Sequence, residues 1–172
     1  NDYLLKEIDD EQKRIYLLNH YLEGFRGTVF RQTMFAEFEH LIHKMAQEGV
    51  ALTAESFTQT YYDLNKKYFG DDIVIDEEIG LEWSRIPHFY YNYYVYQYAT
   101  GFSAAAALSS QILEEGQPAV DRYLGFLEAG SSDFPIEVLK KAGVDMTSPE
   151  PIKAACKVFE EKLTELEQLL NI

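Results

Sequence analysis

The chain has 172 residues, of which 47% are hydrophobic and 15% aromatic, so it can bury a sizeable core. Its 15 lysines and arginines face 29 aspartates and glutamates, and this net charge of −14 argues against a nucleic-acid partner. The single cysteine, Cys156, excludes an internal disulfide and a multi-cysteine metal site, and we expect it to be a buried apolar filler rather than a reactive thiol. The sequence has no membrane span and no basic-then-apolar leader, which favours a cytoplasmic protein.

The first half of the chain has apolar residues at spacings of three and four, the pattern of helices with one buried face. Asn1 leads at once into apolar residues without an initiator methionine, so we expect a helix that is already under way. The next helix begins near Asp10 and continues to the breaker Gly49. Gly24 and Gly27 lie within it and are positions where it can bend or where a neighbour can approach closely.

Turn signals divide the next part of the chain. Thr53 and Ser56 predict the start of a second long helix, and Gly70 its end. A short acidic linker follows. A brief helix over residues 77–85 must then end before Pro87, because the residue preceding proline is disfavoured in the helical region.

The most unusual passage is residues 88–98, which contain six tyrosines within nine positions. An alanine-rich run follows over residues 99–113 and allows close helix packing, so we expect the tyrosines to enter a buried central helix that Gly116 ends. Three further helices are predicted, each with proline near its start: residues 118–129, 135–142 and 149–170. The sequence thus predicts an all-α multi-helix bundle forming a single helical unit over residues 1–172.

The tyrosines themselves fall on two faces of the predicted helix. Tyr90, Tyr94 and Tyr98 share one face, a spacing that core packing explains well. Tyr93 and Tyr96 lie on another face, with a histidine just before the segment. A histidine and phenols gathered at a helix start can donate hydrogen bonds to a developing oxyanion, which is the alternative to a packing role.

A metal site is the other chemistry to consider. Glu37 and His40 form one Glu-x-x-His pair, whereas a di-iron bundle uses two such pairs. His40 and His43 are three residues apart, whereas zincins place two histidines four apart with glutamate directly after the first. We therefore expect these residues to be polar positions on a packed helix, and His20, beside Asn19 and Tyr21, to be a surface residue.

Three separated stretches resemble oligoendopeptidase F of the thimet-like M3 family: residues 19–32 (NHYLEGFRGTVFRQ), 86–96 (IPHFYYNYYVY) and 139–146 (LKKAGVDM). The resemblance covers essentially the whole chain. It implies that the chain is the C-terminal part of a larger, helical, zincin-like metalloendopeptidase that hydrolyses oligopeptides. The family's zinc-binding His-Glu-x-x-His motif would lie upstream of Asn1, so the resemblance also implies that the isolated chain binds no zinc and is inactive.

The resemblance also assigns roles to individual residues. The family's Tyr-Tyr-x-Tyr segment matches residues 93–96, which makes Tyr96 the first candidate for the oxyanion donor and Tyr93 the second. His88 matches the substrate-binding histidine. Either Tyr90 or Tyr91 matches a further substrate-binding tyrosine, and the different spacing from the histidine leaves the choice between them open.

Partners follow from the same resemblance: an oligopeptide substrate and the missing N-terminal part of the same protein. An apolar surface exposed where that part docks would allow self-association. The alternative hypothesis is a non-catalytic helical interaction module that happens to be rich in tyrosine.

Overall fold

A computed structural model describes residues 2–172, and Asn1, with the start predicted for it, lies outside the described residues. Over these residues the fold is all-α, as the sequence predicts, and no strand occurs in the described part of the chain. Two compact units divide it: Gly27–Ala99 forms one, and the segments before and after it form the other. The single unit expected over residues 1–172 stays a prediction.

The unit made from the two ends of the chain contains six helical segments, of which α5 begins in the other unit: α1 (Asp2–Glu7), α2 (Glu11–Phe25), α5 (Tyr96–Glu115), α6 (Gln117–Ala129), α7 (Pro135–Lys141) and α8 (Glu150–Leu170). Asp10 caps α2 by accepting a hydrogen bond from the Lys13 amide at 2.9 Å. One core cluster joins α1, α2 and α8 through Leu5, Leu18, Leu22 and Leu166. The bounds of α6, α7 and α8 confirm the three C-terminal helices predicted from proline positions.

The unit formed by Gly27–Ala99 begins in a π-helical turn, Arg26–Phe30, which continues directly into α3 (Arg31–Gln47). The predicted helix from Asp10 is thus confirmed, with a changed hydrogen-bond pattern beside Gly27. Thr53 and Ser56 form a reciprocal capping box at the start of α4 (Ala54–Phe69).

The core of this unit lies between α3, α4 and two 3₁₀ helices, Glu77–Arg85 and Pro87–Tyr90. Its buried side chains are Met34, Phe35, Phe38, Tyr61, Leu64, Ile86 and Val95. Gly80 lets the first 3₁₀ helix approach α4 closely, since a Cβ there would lie 2.9 Å from Thr58 Cγ2. Ile86 lies just before the tyrosine-rich segment and Val95 lies within it, so this core anchors the segment.

The buried central helix predicted for the tyrosines is wrong. Backbone φ angles of +51° at Asn92 and +58° at Tyr93 are incompatible with a right-handed helix, so α5 begins only at Tyr96. The face expected to pack in the core is open to solvent, because Tyr90, Tyr94 and Tyr98 are 70%, 41% and 37% exposed. The buried residues of α5 are Ser103, Ala104 and Leu108, two of which are small residues that allow close packing.

Two smaller predictions have opposite outcomes. Cys156 is exposed on α8, so the expected buried filler is wrong. The reason is helical phase, because α8 buries Ala155 and the next residue is rotated by about 100° away from that face. His20 is exposed on α2 beside the ring of Tyr16, as predicted. None of the helices in residues 2–172 has the length and apolar character that crossing a membrane requires.

Candidate functional site

Three tyrosine side chains gather around His88, which lies in the short 3₁₀ helix after Ile86. His88 Nε2 is 3.1 Å from the hydroxyl of Tyr98. The Tyr94 ring stacks on the imidazole with centroids 5.7 Å apart, and the Tyr91 ring meets it edge-on at 6.2 Å. We call His88, Tyr91, Tyr94 and Tyr98 the His88 cluster.

The His88 cluster is built from polar groups that remain accessible. A hydrogen bond with Tyr94 raises the pKa of Tyr98, so its hydroxyl keeps its proton more firmly than an isolated phenol does. The three tyrosine rings are exposed rather than sealed in the core. The arrangement can therefore present several phenolic donors and one imidazole to a bound molecule.

Tyr93 is held separately by α3. Its backbone N–H donates a hydrogen bond to the carboxylate of Glu39, and its ring lies 4.4 Å from the His43 ring, centroid to centroid. His43 Nδ1 in turn lies 2.7 Å from the backbone oxygen of Glu39. Glu39 was missed by the sequence analysis, because nothing local indicates that a helix carboxylate meets a turn 54 residues later.

The remaining predicted site residues flank this arrangement. Tyr96 is the first residue of α5 and is 53% exposed. The hydroxyl of Tyr90 points to the backbone oxygen of Ser84 at 3.4 Å. Tyr90 and Tyr91 are the two candidates for a further substrate-binding tyrosine, and Tyr91 is the one whose ring contacts His88. The catalytic and binding roles of the five predicted site residues stay predictions: His88, Tyr90, Tyr91, Tyr93 and Tyr96.

A second group of polar residues surrounds the buried carboxylate of Glu82. One carboxylate oxygen accepts hydrogen bonds from Arg31, at 2.7 Å, and from Arg85, and the other accepts from the Tyr61 hydroxyl at 2.7 Å. Burial by itself raises the pKa of Glu82, but these hydrogen bonds and the two guanidinium charges hold it below its usual value. Burial, reinforced by the carboxylate, raises the pKa of Tyr61. We call these four residues the Glu82 network.

Glu37 and His43, two of the residues considered for a metal, have other partners. Glu37 accepts hydrogen bonds from the Lys67 ammonium group and from the Tyr68 hydroxyl, and the lysine holds the pKa of Glu37 below its usual value. Residues 2–172 contain no group of three or more His, Cys, Asp or Glu side chains that could hold a metal ion. The described donor set therefore does not fit a zinc ion.

Comparisons with known proteins agree with the resemblance. Oligopeptidase PepF of Bacillus subtilis is 78% identical over 169 residues, which are 98% of this chain and 25% of that protein. Group B oligopeptidase PepB of Streptococcus agalactiae is 54% identical over 97% of this chain and 28% of its own length. The crystal structure of oligoendopeptidase-F from Enterococcus faecium, 56% identical, superposes with a TM-score of 0.96 over 99% of this chain and 33% of that one.

The matches thus span this chain almost completely, while the chain spans only about a quarter of the length of the curated relatives. The family model described as Peptidase family M3 matches residues 1–158. Because that match covers most of the chain, the chain belongs to peptidase family M3, a family of metallopeptidases.

Proposed function

We propose that this chain is the C-terminal part of a zinc metalloendopeptidase that hydrolyses oligopeptides, and that it contributes substrate-binding and oxyanion-stabilising side chains. In this proposal Tyr96 and Tyr93 donate hydrogen bonds to the oxyanion, and His88 binds the substrate with Tyr91 or Tyr90. Zinc is held by residues outside this chain, and the isolated chain is inactive.

The observation that carries the proposal is the exposure of the tyrosine-rich segment. Buried tyrosines would serve packing, whereas this segment interrupts the helix, leaves its rings accessible and gathers them around an imidazole. A large exposed aromatic patch on a folded protein commonly marks a binding site. The family membership and the names of the relatives, oligopeptidase and oligoendopeptidase, support a peptide as the molecule bound.

The chemistry required of this chain is hydrogen-bond donation. A phenol hydroxyl donates one hydrogen bond, and it can strengthen that bond as the substrate carbonyl oxygen gains negative charge. Such a donor accelerates the reaction only if it binds the transition state better than the ground state. Tyr96, at the first position of α5, and Tyr93, in the turn before it, are the candidates for this task.

The test is made in the full-length peptidase, meaning this chain together with the upstream segment proposed to carry the zinc ligands. We expect Tyr96→Phe to lower kcat for a quenched fluorescent oligopeptide by roughly 10²-fold, the scale of one lost oxyanion donor. Tyr16→Phe is the matched control, because Tyr16 is an exposed tyrosine on α2, and its rate should equal that of the wild type. An unchanged kcat for Tyr96→Phe would refute the role of Tyr96.

The inactivity of the isolated chain has its own test. The 172-residue chain alone should not cleave the peptide, and mixing it with a separately produced upstream piece should restore cleavage. Hydrolysis by the chain alone, retained after chelator treatment, would contradict the proposal. Failure of every mixture and of the full-length protein to cleave peptides would instead favour a non-catalytic interaction module.

A further inference from the structure

We propose that Glu39 is a positioning residue for the tyrosine-rich segment. By accepting the backbone N–H of Tyr93, its carboxylate holds the left-handed turn at Asn92 and Tyr93 and so sets the direction in which Tyr93 and Tyr96 project. The inference rests on the proposed function, because the direction of these tyrosines affects catalysis only if they act on the substrate.

The carboxylate of Glu39 is buried and therefore requires hydrogen-bond donors from the protein. Glu39 is only 1% exposed, and a buried carboxylate is strongly unfavourable unless hydrogen bonds replace its water. Within residues 2–172, no buried side-chain nitrogen or oxygen atom lacks a hydrogen-bond partner. The Glu39 carboxylate accepts a hydrogen bond from the backbone amide of Tyr93, which is 54 residues away, so the bond connects α3 directly to the turn.

The backbone of the turn explains why such a bond is needed. Asn92 and Tyr93 both have positive φ angles, and an aromatic residue adopts this left-handed conformation only when its surroundings hold it there. Two consecutive left-handed residues without glycine would relax in an isolated peptide. Glu39 holds Tyr93 by binding the backbone amide of Tyr93, and the orientation of that amide depends directly on the left-handed conformation.

A second contact from the same face of α3 supports the first. His43 follows Glu39 by one helical turn, its ring lies 4.4 Å from the Tyr93 ring, and its Nδ1 lies 2.7 Å from the Glu39 backbone oxygen. Tyr93 is therefore held at its backbone by one residue and at its ring by the other. The turn lies between the 3₁₀ helix Pro87–Tyr90 and the start of α5, so its geometry determines where the following tyrosine emerges.

The structural part of the test measures hydrogen–deuterium exchange at the Tyr93 amide in the full-length peptidase. Glu39→Met removes the acceptor with little change in volume, and Glu39→Asp keeps the charge but shortens the reach. Both should accelerate exchange of this amide on the order of tenfold or more, because a hydrogen bond to a charged acceptor is lost. Glu37→Met is the matched control, since Glu37 lies on the same helix but bonds to Lys67 and Tyr68.

The kinetic part separates positioning from a general loss of stability. In Glu39→Asp, which is expected to fold, kcat should fall roughly 10- to 100-fold while KM stays within about twofold, because displaced donors weaken transition-state binding. Glu39→Gln retains a carbonyl acceptor and should recover kcat to within a few-fold of the wild type. The Glu37→Met control should leave kcat unchanged.

Each result decides the inference. Unchanged exchange at Tyr93 in both Glu39→Asp and Glu39→Met would overturn it, whether or not the peptidase is active. Faster exchange with kcat equal to that of the control would overturn the positioning role. An unchanged rate in Tyr96→Phe would refute the proposed role of Tyr96 without altering the exchange result, so the two failures are distinguishable.

Discussion

The Glu82 network and the His88 cluster lie in the same compact unit and use similar side chains for opposite purposes. In the network a tyrosine and two arginines satisfy a buried carboxylate, and its burial ties α4 to the first 3₁₀ helix. In the cluster the phenols bond to each other and to an imidazole but keep their rings exposed. The role of a tyrosine is therefore decided by its burial and by its hydrogen-bond partners, not by residue type alone. We expect changes in the network to alter stability and changes in the cluster to alter activity.

Removal of the central carboxylate should have the largest effect on stability. Glu82→Leu leaves the partly buried guanidinium of Arg31 and the hydroxyl of Tyr61 without their acceptor, which should lower the free energy of unfolding by about 3 kcal/mol. Urea unfolding of the 172-residue chain, followed by circular dichroism, measures this loss. Glu78→Leu, at an exposed carboxylate of the same 3₁₀ helix, is the control and should change it by less than about 0.5 kcal/mol.

Glu82→Leu should also change how the stability of the protein depends on pH. The pKa of Glu82 is lower in the folded state than its usual value of 4.5, so its contribution to stability is present above that pH and is lost as the pH falls below it. We expect the wild type to lose stability more steeply than Glu82→Leu during acid titration. Parallel acid titrations would show that Glu82 does not supply this part of the pH dependence.

A smaller loss is expected for the tyrosine of the network. Tyr61→Phe removes the hydroxyl that donates to the charged Glu82 and should lower the free energy of unfolding by about 2 kcal/mol at neutral pH. Because the folded-state pKa of Tyr61 is raised, the wild type should lose stability as the pH rises above 10, and the difference between the two proteins should narrow. Tyr62→Phe, at the adjacent and partly exposed tyrosine, is the control, and a loss as large as that of Tyr61→Phe would contradict the assignment.

The smallest effect on stability, with a separate effect on activity, is expected in the His88 cluster. Tyr98→Phe removes the hydroxyl beside His88 Nε2, so the imidazole is held less firmly and KM of the full-length peptidase should rise about threefold, the scale of one neutral hydrogen bond. The urea midpoint of the variant should equal that of the wild type, because the ring is exposed. A lowered midpoint with an unchanged KM would show that the His88 cluster has a structural role instead.

Much of the secondary structure could be predicted because its signals are local. Asp10 and Thr53 cap helices where short-range rules place them, and Gly70 ends α4. The tyrosine segment could not be predicted from such rules, because its residues have a helical spacing of aromatic side chains. Positive φ at Asn92 and Tyr93, with the contact of Tyr93 to α3, makes it a turn instead. The sequence likewise predicted a buried Cys156, whereas the orientation of α8 buries Ala155 and exposes Cys156.

Periodicity, caps and matching segments are properties of neighbouring residues. They indicate without a structure that the protein is all-α, where most of its helices begin and end, and that it resembles the M3 peptidases. Which polar groups meet depends on how the helices pack. Glu39 reaches Tyr93 across 54 residues, and Arg31 reaches Glu82 across 51. The sequence around one partner does not indicate the other. These contacts exist because packing of α3 and α4 buries the carboxylates, and a buried carboxylate requires donors that only the folded chain supplies.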